Sequence, residues 1–281
     1  TRPRVDVASG AVARHYDQLD RFYRELWGED VHHGLWVRGN EDPAEATANL
    51  TRLVAHRAAM RPGLRVCDVG CGYGGPARYF ASRHGAEVVG LTLSRRQARH
   101  ARSAKAPEGL GRTRYLLADW LRSPLADGCF DAVVAIESAS HMADKRRFLR
   151  EARRVLVPRG RLVVVAWIAG EDPGPWARRH LLEPICGEGR LPGLASESEY
   201  REWLAEEGLR VLSFDDLSRK VRRTWSVCLR RVAGRLMTDP EARRYVLDAR
   251  NSERVFALGL GRIWLAYRTG DLRYGVFTAE A

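Results

Sequence analysis

The stretch Asp68-Val69-Gly70-Cys71-Gly72-Tyr73-Gly74-Gly75 constrains this chain more than any other. It follows a short apolar run, Leu64-Arg65-Val66-Cys67, and leads into a helical pattern that ends near His84. Glycines placed between a strand and a helix allow a sharp turn and let the backbone come close to a ligand. Such a turn belongs at the end of the first strand of an open α/β sheet, the edge at which ligands bind. Gly70, Gly72 and Gly75 also satisfy the dinucleotide spacing G-x-G-x-x-G, so spacing alone leaves the ligand open.

The flanking sequence repeats the strand–helix rhythm. Ala86 to Leu91, Tyr115 to Leu117, Phe130 to Ile136 and Arg161 to Trp167 read as strands. The run 130–136 is almost wholly apolar, as in a strand covered on both faces. Ser94 caps a second helix, and a third spans about 144–156 and stops at Pro158. The alternation predicts an α/β fold: a Rossmann-like, doubly wound, mostly parallel sheet. Residues 5–27 carry helical apolar spacing, and Asp42-Pro43 opens a helix over 43–60. After Ala169 the rhythm breaks at Glu171-Asp172-Pro173-Gly174-Pro175. Helices are expected at 176–190, 196–207, 218–236 and 240–267, and strands at 209–215 and 272–280. The expected organisation is a helical N-terminal lid (1–60), a ligand-binding core (61–170), and a helical cap inserted after strand five together with the last two strands (171–281). Gly28 and Gly34 offer hinge points for the lid.

The 281 residues suffice for one such domain with a cap, and no run approaches a membrane span. The polar N-terminal stretch carries no signal region, which predicts a cytoplasmic chain. Five cysteines, odd in number and without a C-x-x-C pair, read as reduced thiols, and no metal site is expected. The net charge is +12, but 44 of the 47 basic residues are arginine, a skew that reads as coding bias rather than a binding patch. No basic stretch is interleaved with aromatics, so nucleic acid is not an expected partner. Homo-oligomerisation is compatible with this composition.

Three neighbours of the glycine turn narrow the ligand. Asp68 would repel a pyrophosphate but suits the cationic end of an amino-acid moiety. The second strand ends Val89-Gly90-Leu91-Thr92-Leu93-Ser94, without the acid that usually holds ribose hydroxyls. Asp119-Trp120 follows the third strand, where a carboxylate can accept from an adenine amino group and an indole can cover the ring. On these residues the chain resembles class I S-adenosylmethionine (SAM) methyltransferases. Thr92 and Gln97 are similar to the second-strand motif of the tocopherol methyltransferase-like and cyclopropane-fatty-acid-synthase-like groups. Tyr16-Asp17, Trp27-Gly28, His33-Gly34 and Trp36 resemble the tocopherol methyltransferase-like group of small-molecule enzymes, as do Ile185-Cys186 and Leu191-Pro192. The resemblance implies that Asp68, Gly70 and Gly72 surround the methionine part of SAM. Thr92 and Gln97 would hold the ribose, and Asp119 and Trp120 would flank adenine. Glu137 would lie near the methionine end and the acceptor, with Tyr16 and His33 reaching in from the lid. S-adenosylhomocysteine (SAH) would be the product.

Glu137-Ser138-Ala139-Ser140-His141 follows the fourth strand, at the mouth of such a site. Glu137 and His141 have the chemistry of a base or an electrostatic stabiliser, His141 with an ordinary pKa near working pH. His32 and His33 are either further bases or stabilisers of the lid loop. Tyr200, Trp203, Trp225 and Trp264 are cap aromatics, chiefly for packing, with some lining an apolar pocket. The expected activity is methyl transfer from SAM to carbon, nitrogen or oxygen of a small, largely apolar natural product, an isoprenoid or aromatic acceptor among them. One alternative is an NADP-dependent oxidoreductase, in which Ser94-Arg95-Arg96 would take a 2′-phosphate. Another is a SAM-binding protein without catalysis.

Overall fold

A computed structural model describes residues 9–18, 20, 30–105, 109–247 and 254–281. Seven strands form one sheet in the order β3-β2-β1-β4-β5-β7-β6. They are β1 (Arg65–Val69), β2 (Glu87–Thr92), β3 (Arg112–Leu117), β4 (Phe130–Ile136), β5 (Leu156–Ala169), β6 (Arg210–Asp216) and β7 (Leu272–Glu280). β1 to β5 pair in parallel, and β7 inserts antiparallel between β5 and β6. The chain order reverses at β1, between β2 and β4, which opens a crevice at the strand ends.

Besides helical turns of three to five residues, the described helices are α1 (Ser9–Gln18), α2 (Pro43–Arg57), α3 (Gly75–His84), α4 (Arg95–Ser103), α5 (Lys145–Val155), α6 (Glu183–Glu188), α7 (Glu197–Glu206), α8 (Arg223–Thr238), α9 (Pro240–Leu247) and α10 (Arg254–Thr269). Their ends follow local chemistry. The Asp42 carboxylate accepts from the Ala44 and Glu45 amides ahead of Pro43, and Ser196 and Glu199 form a reciprocal capping box on α7. Strand side chains alternate between two apolar clusters, one on each face of the sheet. Val66, Val134 and Val165 join Leu50, Val54 and Phe80 on one side. Cys67, Val133 and Val164 join Phe148, Leu149 and Tyr200 on the other.

The structure revises several expected bounds. The helix over 144–156 ends at Val155, and Pro158 lies inside β5. A register shift between Phe130 and Ala132 absorbs these extra residues against β4. The helical cap lies on either side of β6, in the expected element order: α6 and α7 between β5 and β6, then α8 to α10 between β6 and β7. α10 packs on both α8 and α6. α2 is built into the core through Leu50, Val54 and Ala55. Of the helical segment expected over 5–27, residues 9–18 form α1; apart from Asp20 the rest lies outside the described residues, as do Trp27 and Gly28. Gly34 is no hinge: it is buried, and a methyl group there would sit 2.8 Å from the Ala46 Cβ, so its smallness seats the chain on α2. Among the described residues no helix is long and apolar enough to cross a membrane.

Candidate functional site

The β1–α3 turn sets the floor of the site. Gly70 and Gly72 adopt φ of +75° and +56°, conformations that cost other residues strain. A side chain at Gly72 would meet no protein atom within 4 Å, so that backbone faces open cleft. A side chain at Gly75 would fall on the Asp30 carboxylate, which the segment after the lid helix brings onto the start of α3. The eleven residues singled out from the sequence all border this one cleft: Tyr16, His33, Asp68, Gly70, Gly72, Thr92, Gln97, Asp119, Trp120, Glu137 and His141.

Asp68 and Asp30 form the first polar corner. Asp68 Oδ2 and Asp30 Oδ1 are buried and without hydrogen-bond partners. Burial pushes the Asp68 carboxyl up to about 7, and the nearby Asp30 adds to the shift. Buried polar atoms are nearly always satisfied, so this corner is made for a donor that the protein does not supply. A primary ammonium fits, being a cation with three N–H bonds. Asp30 escaped the sequence analysis, although it lies in the glycine-, histidine- and tryptophan-rich segment that stood out there.

The nucleoside side is built from α4 and the short turn after β3. The Thr92 hydroxyl donates to Gln97 Oε1 at 2.8 Å, and both residues are buried. Ser94 caps α4 and donates to the Asp17 carboxylate at 2.5 Å, which also accepts from the Arg96 amide. That carboxylate stands where the oxidoreductase alternative requires a phosphate, and like charges repel. Asp119 caps the 120–122 turn. Trp120 is buried against Phe148 with its Nε1–H donating to the Phe148 carbonyl at 3.1 Å, and its ring borders the cleft.

The far end holds Glu137 and His141. Glu137 has a left-handed backbone, φ +62°, at the end of β4, a strained position typical of functional sites. Its carboxylate accepts four hydrogen bonds. The His33 amide (2.7 Å), His33 Nδ1–H (2.9 Å) and Tyr274 hydroxyl (2.6 Å) reach Oε1, and Trp167 Nε1–H (3.0 Å) reaches Oε2. Burial pushes the Glu137 carboxyl up, but the donors around it, His33 foremost, outweigh this and hold it below its ordinary range. His33 is equally committed, because the Trp225 indole donates to its Nε2 at 2.8 Å. An indole N–H only donates, so His33 is the neutral Nδ1–H tautomer. His32 donates from Nδ1 to the His33 carbonyl at 2.9 Å. Of the two readings of these histidines, lid stabilisation is the one the geometry supports.

His141 stands apart. Its Nε2 accepts from the Tyr16 hydroxyl at 2.9 Å, and its Nδ1 lies 3.4 Å from the Arg190 carbonyl. Burial, helped by His15, lowers its pKa to about 4, so the expected pKa near working pH is corrected and the ring is neutral at pH 7. Burial also pushes the Tyr16 hydroxyl well above its ordinary range, with Glu137 adding to the shift. The cleft lining also includes the apolar Val12, Met142, Ile185, Leu191 and Ile263, with Trp167 and Trp225, and the carboxylate of Glu188. All five cysteines are free thiols, and among the described residues no three His, Cys, Asp or Glu side chains converge as a metal site.

Comparison with known proteins agrees with this geometry. A methyltransferase-domain family model matches residues 67–164. The 27-O-demethylrifamycin SV methyltransferase of Amycolatopsis mediterranei is 34% identical over 272 residues, covering 96% of each chain. The chloroplastic tocopherol O-methyltransferase of Arabidopsis thaliana is 33% identical over 238 residues, 78% of this chain and 68% of that one. Among solved structures, the [4+2]-cyclase SpnF superposes with a TM-score of 0.78 at 26% identity, covering 99% and 98% of the two chains. An end-to-end likeness to a methyltransferase, carried on a fold whose cleft offers two unsatisfied carboxylates to a cationic amino acid, places this chain in the family of SAM-dependent small-molecule methyltransferases.

Proposed function

We propose that the protein O-methylates a hydroxyl of a largely apolar natural product, with His141 as proton acceptor. The observation that carries this reading is the neutral His141 in the cleft, held by Tyr16. Asp68 and Asp30 would hold the ammonium of SAM, Thr92 and Gln97 its ribose, and Asp119 and Trp120 its adenine. When bound, SAM supplies the methyl group on a sulfonium, an electrophile that needs alignment more than activation.

The chain's own residues then have two tasks. Glu137 is saturated by four donors and is ionised far below neutral pH, so it makes a poor proton acceptor. Its part is to fix His33 and the segment around it, and to keep a negative charge beside the reacting centre. His141 is uncharged at working pH, and its Nε2 lone pair becomes available when an acceptor hydroxyl replaces Tyr16 as its donor. Nδ1–H is oriented by the Arg190 carbonyl, which sets the tautomer. Residues 9–18 and 30–34 act as the lid, because α1 is tied to the site through Tyr16 to His141 and Asp17 to Ser94, and Asp20, which follows it, through Tyr73. The 27-O-demethylrifamycin SV methyltransferase to which the chain is similar supports an oxygen acceptor.

The test is SAH release with 27-O-demethylrifamycin SV and a panel of phenols and polyketide alcohols, followed by mass spectrometry of the product. The expected product gains one methyl group on oxygen. His141→Ala should lose about 10²–10⁴ in turnover at saturating SAM, with SAM affinity retained. Methylation on carbon, near-normal turnover of that variant, or an acceptor rearranged without SAH release would overturn the reading.

A further inference from the structure

Residues 218–247 carry nine arginines and lysines against two acids, and so hold seven of the chain's twelve surplus positive charges. The structure gathers part of this charge rather than spreading it. Arg219, Arg222 and Arg223, with Arg268 from the end of α10, are exposed and line an open cavity of about 290 Å³ together with Trp36 and Trp264. This cavity shares no lining residue with the cleft. The Arg223 guanidinium stacks over Trp36 at 5.2 Å and that of Arg268 over Trp264 at 4.8 Å, which fixes two of the four forks.

Other arginines of the chain are neutralised by neighbours, as in Arg65–Asp131, Arg154–Glu151 and Arg273–Asp216. Among the described residues none of the four guanidiniums of this cavity pairs with a carboxylate. Like charges converging on one concavity repel, and an anion between them removes that cost. Guanidinium forks match phosphate oxygens two at a time. Ser226 adds a hydroxyl to the lining. The indole faces are taken by guanidiniums, so the part recognised is a phosphate chain and not a base. Four cations call for more than one phosphate.

We propose that this cavity binds a di- or triphosphate group, as carried by inorganic pyrophosphate or a nucleoside triphosphate. Its back wall is the layer in which Trp36 Nε1–H donates to Thr224 Oγ1 at 3.2 Å, and the next residue, Trp225, lines the cleft on the other side. A ligand here lies behind the wall of the methyl-transfer cleft, which makes it an effector and not the acceptor.

Calorimetric titration of the whole chain with pyrophosphate and with ATP tests the proposal. Both should bind, and added salt should weaken them. Arg223→Ala/Arg268→Ala should lower affinity at least about tenfold, the size of one lost charge-assisted hydrogen bond. Arg223→Lys/Arg268→Lys should also weaken binding, because charge remains but the fork is lost. Arg83→Ala/Arg112→Ala removes the same charge from exposed positions elsewhere and should change nothing. Retained SAH affinity certifies each variant as folded, and Arg219→Ala/Arg222→Ala replaces the first pair if it does not fold. Absence of pyrophosphate binding, an equal loss in the Arg83/Arg112 control, or binding only to vesicles containing phosphatidylglycerol would overturn the site.

Discussion

Asp68 and Glu137 are both buried carboxylates beside the same cleft, yet their surroundings drive them in opposite directions. Asp68 has an orphaned oxygen and a second carboxylate nearby, so its pKa rises to about 7. The folded, ligand-free protein therefore keeps a proton on Asp68 that the unfolded chain has lost, and this group's contribution to stability falls as pH climbs from its ordinary 3.8 toward 7. A ligand ammonium prefers the ionised form. SAH affinity should thus rise between about pH 6 and pH 8, and Asp68→Asn should flatten the dependence, as read by calorimetry. His141 runs the other way. Its pKa is lowered to about 4, so the stability tied to its neutral form is present above 6.5 and is lost as pH falls toward 4. Glu137→Gln leaves four donors facing an amide whose own N–H₂ adds a conflict. The expected cost is at least about 1.5–3 kcal/mol in urea unfolding, the scale of one hydrogen bond to a charged group. Near-wild-type stability would mean that the four-donor cluster is unimportant to the fold.

The β1–α3 turn is the element on which the site depends most. Gly72 has a positive φ and faces open cleft, so Gly72→Val combines backbone strain with a side chain placed where the ligand must approach. SAM affinity should fall by at least about tenfold in a folded variant, or 1.4 kcal/mol. Unchanged affinity would remove the turn from the binding site. The segment 30–36 is the second such element. It has no regular hydrogen-bond ladder of its own and is held by outside partners: the Leu35 amide donates to the Ala46 carbonyl, the Gly34 amide to Thr224, and the His33 ring bridges Glu137 and Trp225. Residues 32–36 are buried, so these outside partners, rather than a ladder of its own, fix the segment at the cleft.

For the whole molecule, a sheet covered on both faces carries two further segments at the edge where its cleft opens. The strands β1, β4 and β5 lie between two apolar clusters, whereas residues 9–18 and 30–36 meet the cleft edge, where Tyr16 bonds His141, Asp17 bonds Ser94 and His33 bonds Glu137. Amide exchange in those two segments should slow on addition of SAH, while the central strands, protected in either state, remain unchanged. Equal protection with and without ligand would show that the lid does not respond to the site.

Local pattern carried the strand–helix alternation, the glycine turn and the helix caps, because each depends on neighbours within a few residues. The nine candidates from Asp68 to His141 share the cleft because residues at the ends of parallel strands lie on one edge of the sheet, whereas Tyr16 and His33 were brought to it only by the family resemblance. Pattern could not assign partners. Glu137 meets His33 from 104 positions away and Tyr274 from 137, and both pairings exist only once β7 has inserted beside β5 and the lid has folded over the edge. The same is true of Asp30 opposite Asp68, and of Arg268 joining Arg223 around one cavity. Periodicity tells a residue which face it occupies. Which charge or hydrogen-bond donor it meets there, and so whether a carboxylate ends as an anchored anion or as an open cation site, is set by the packing of distant segments in three dimensions.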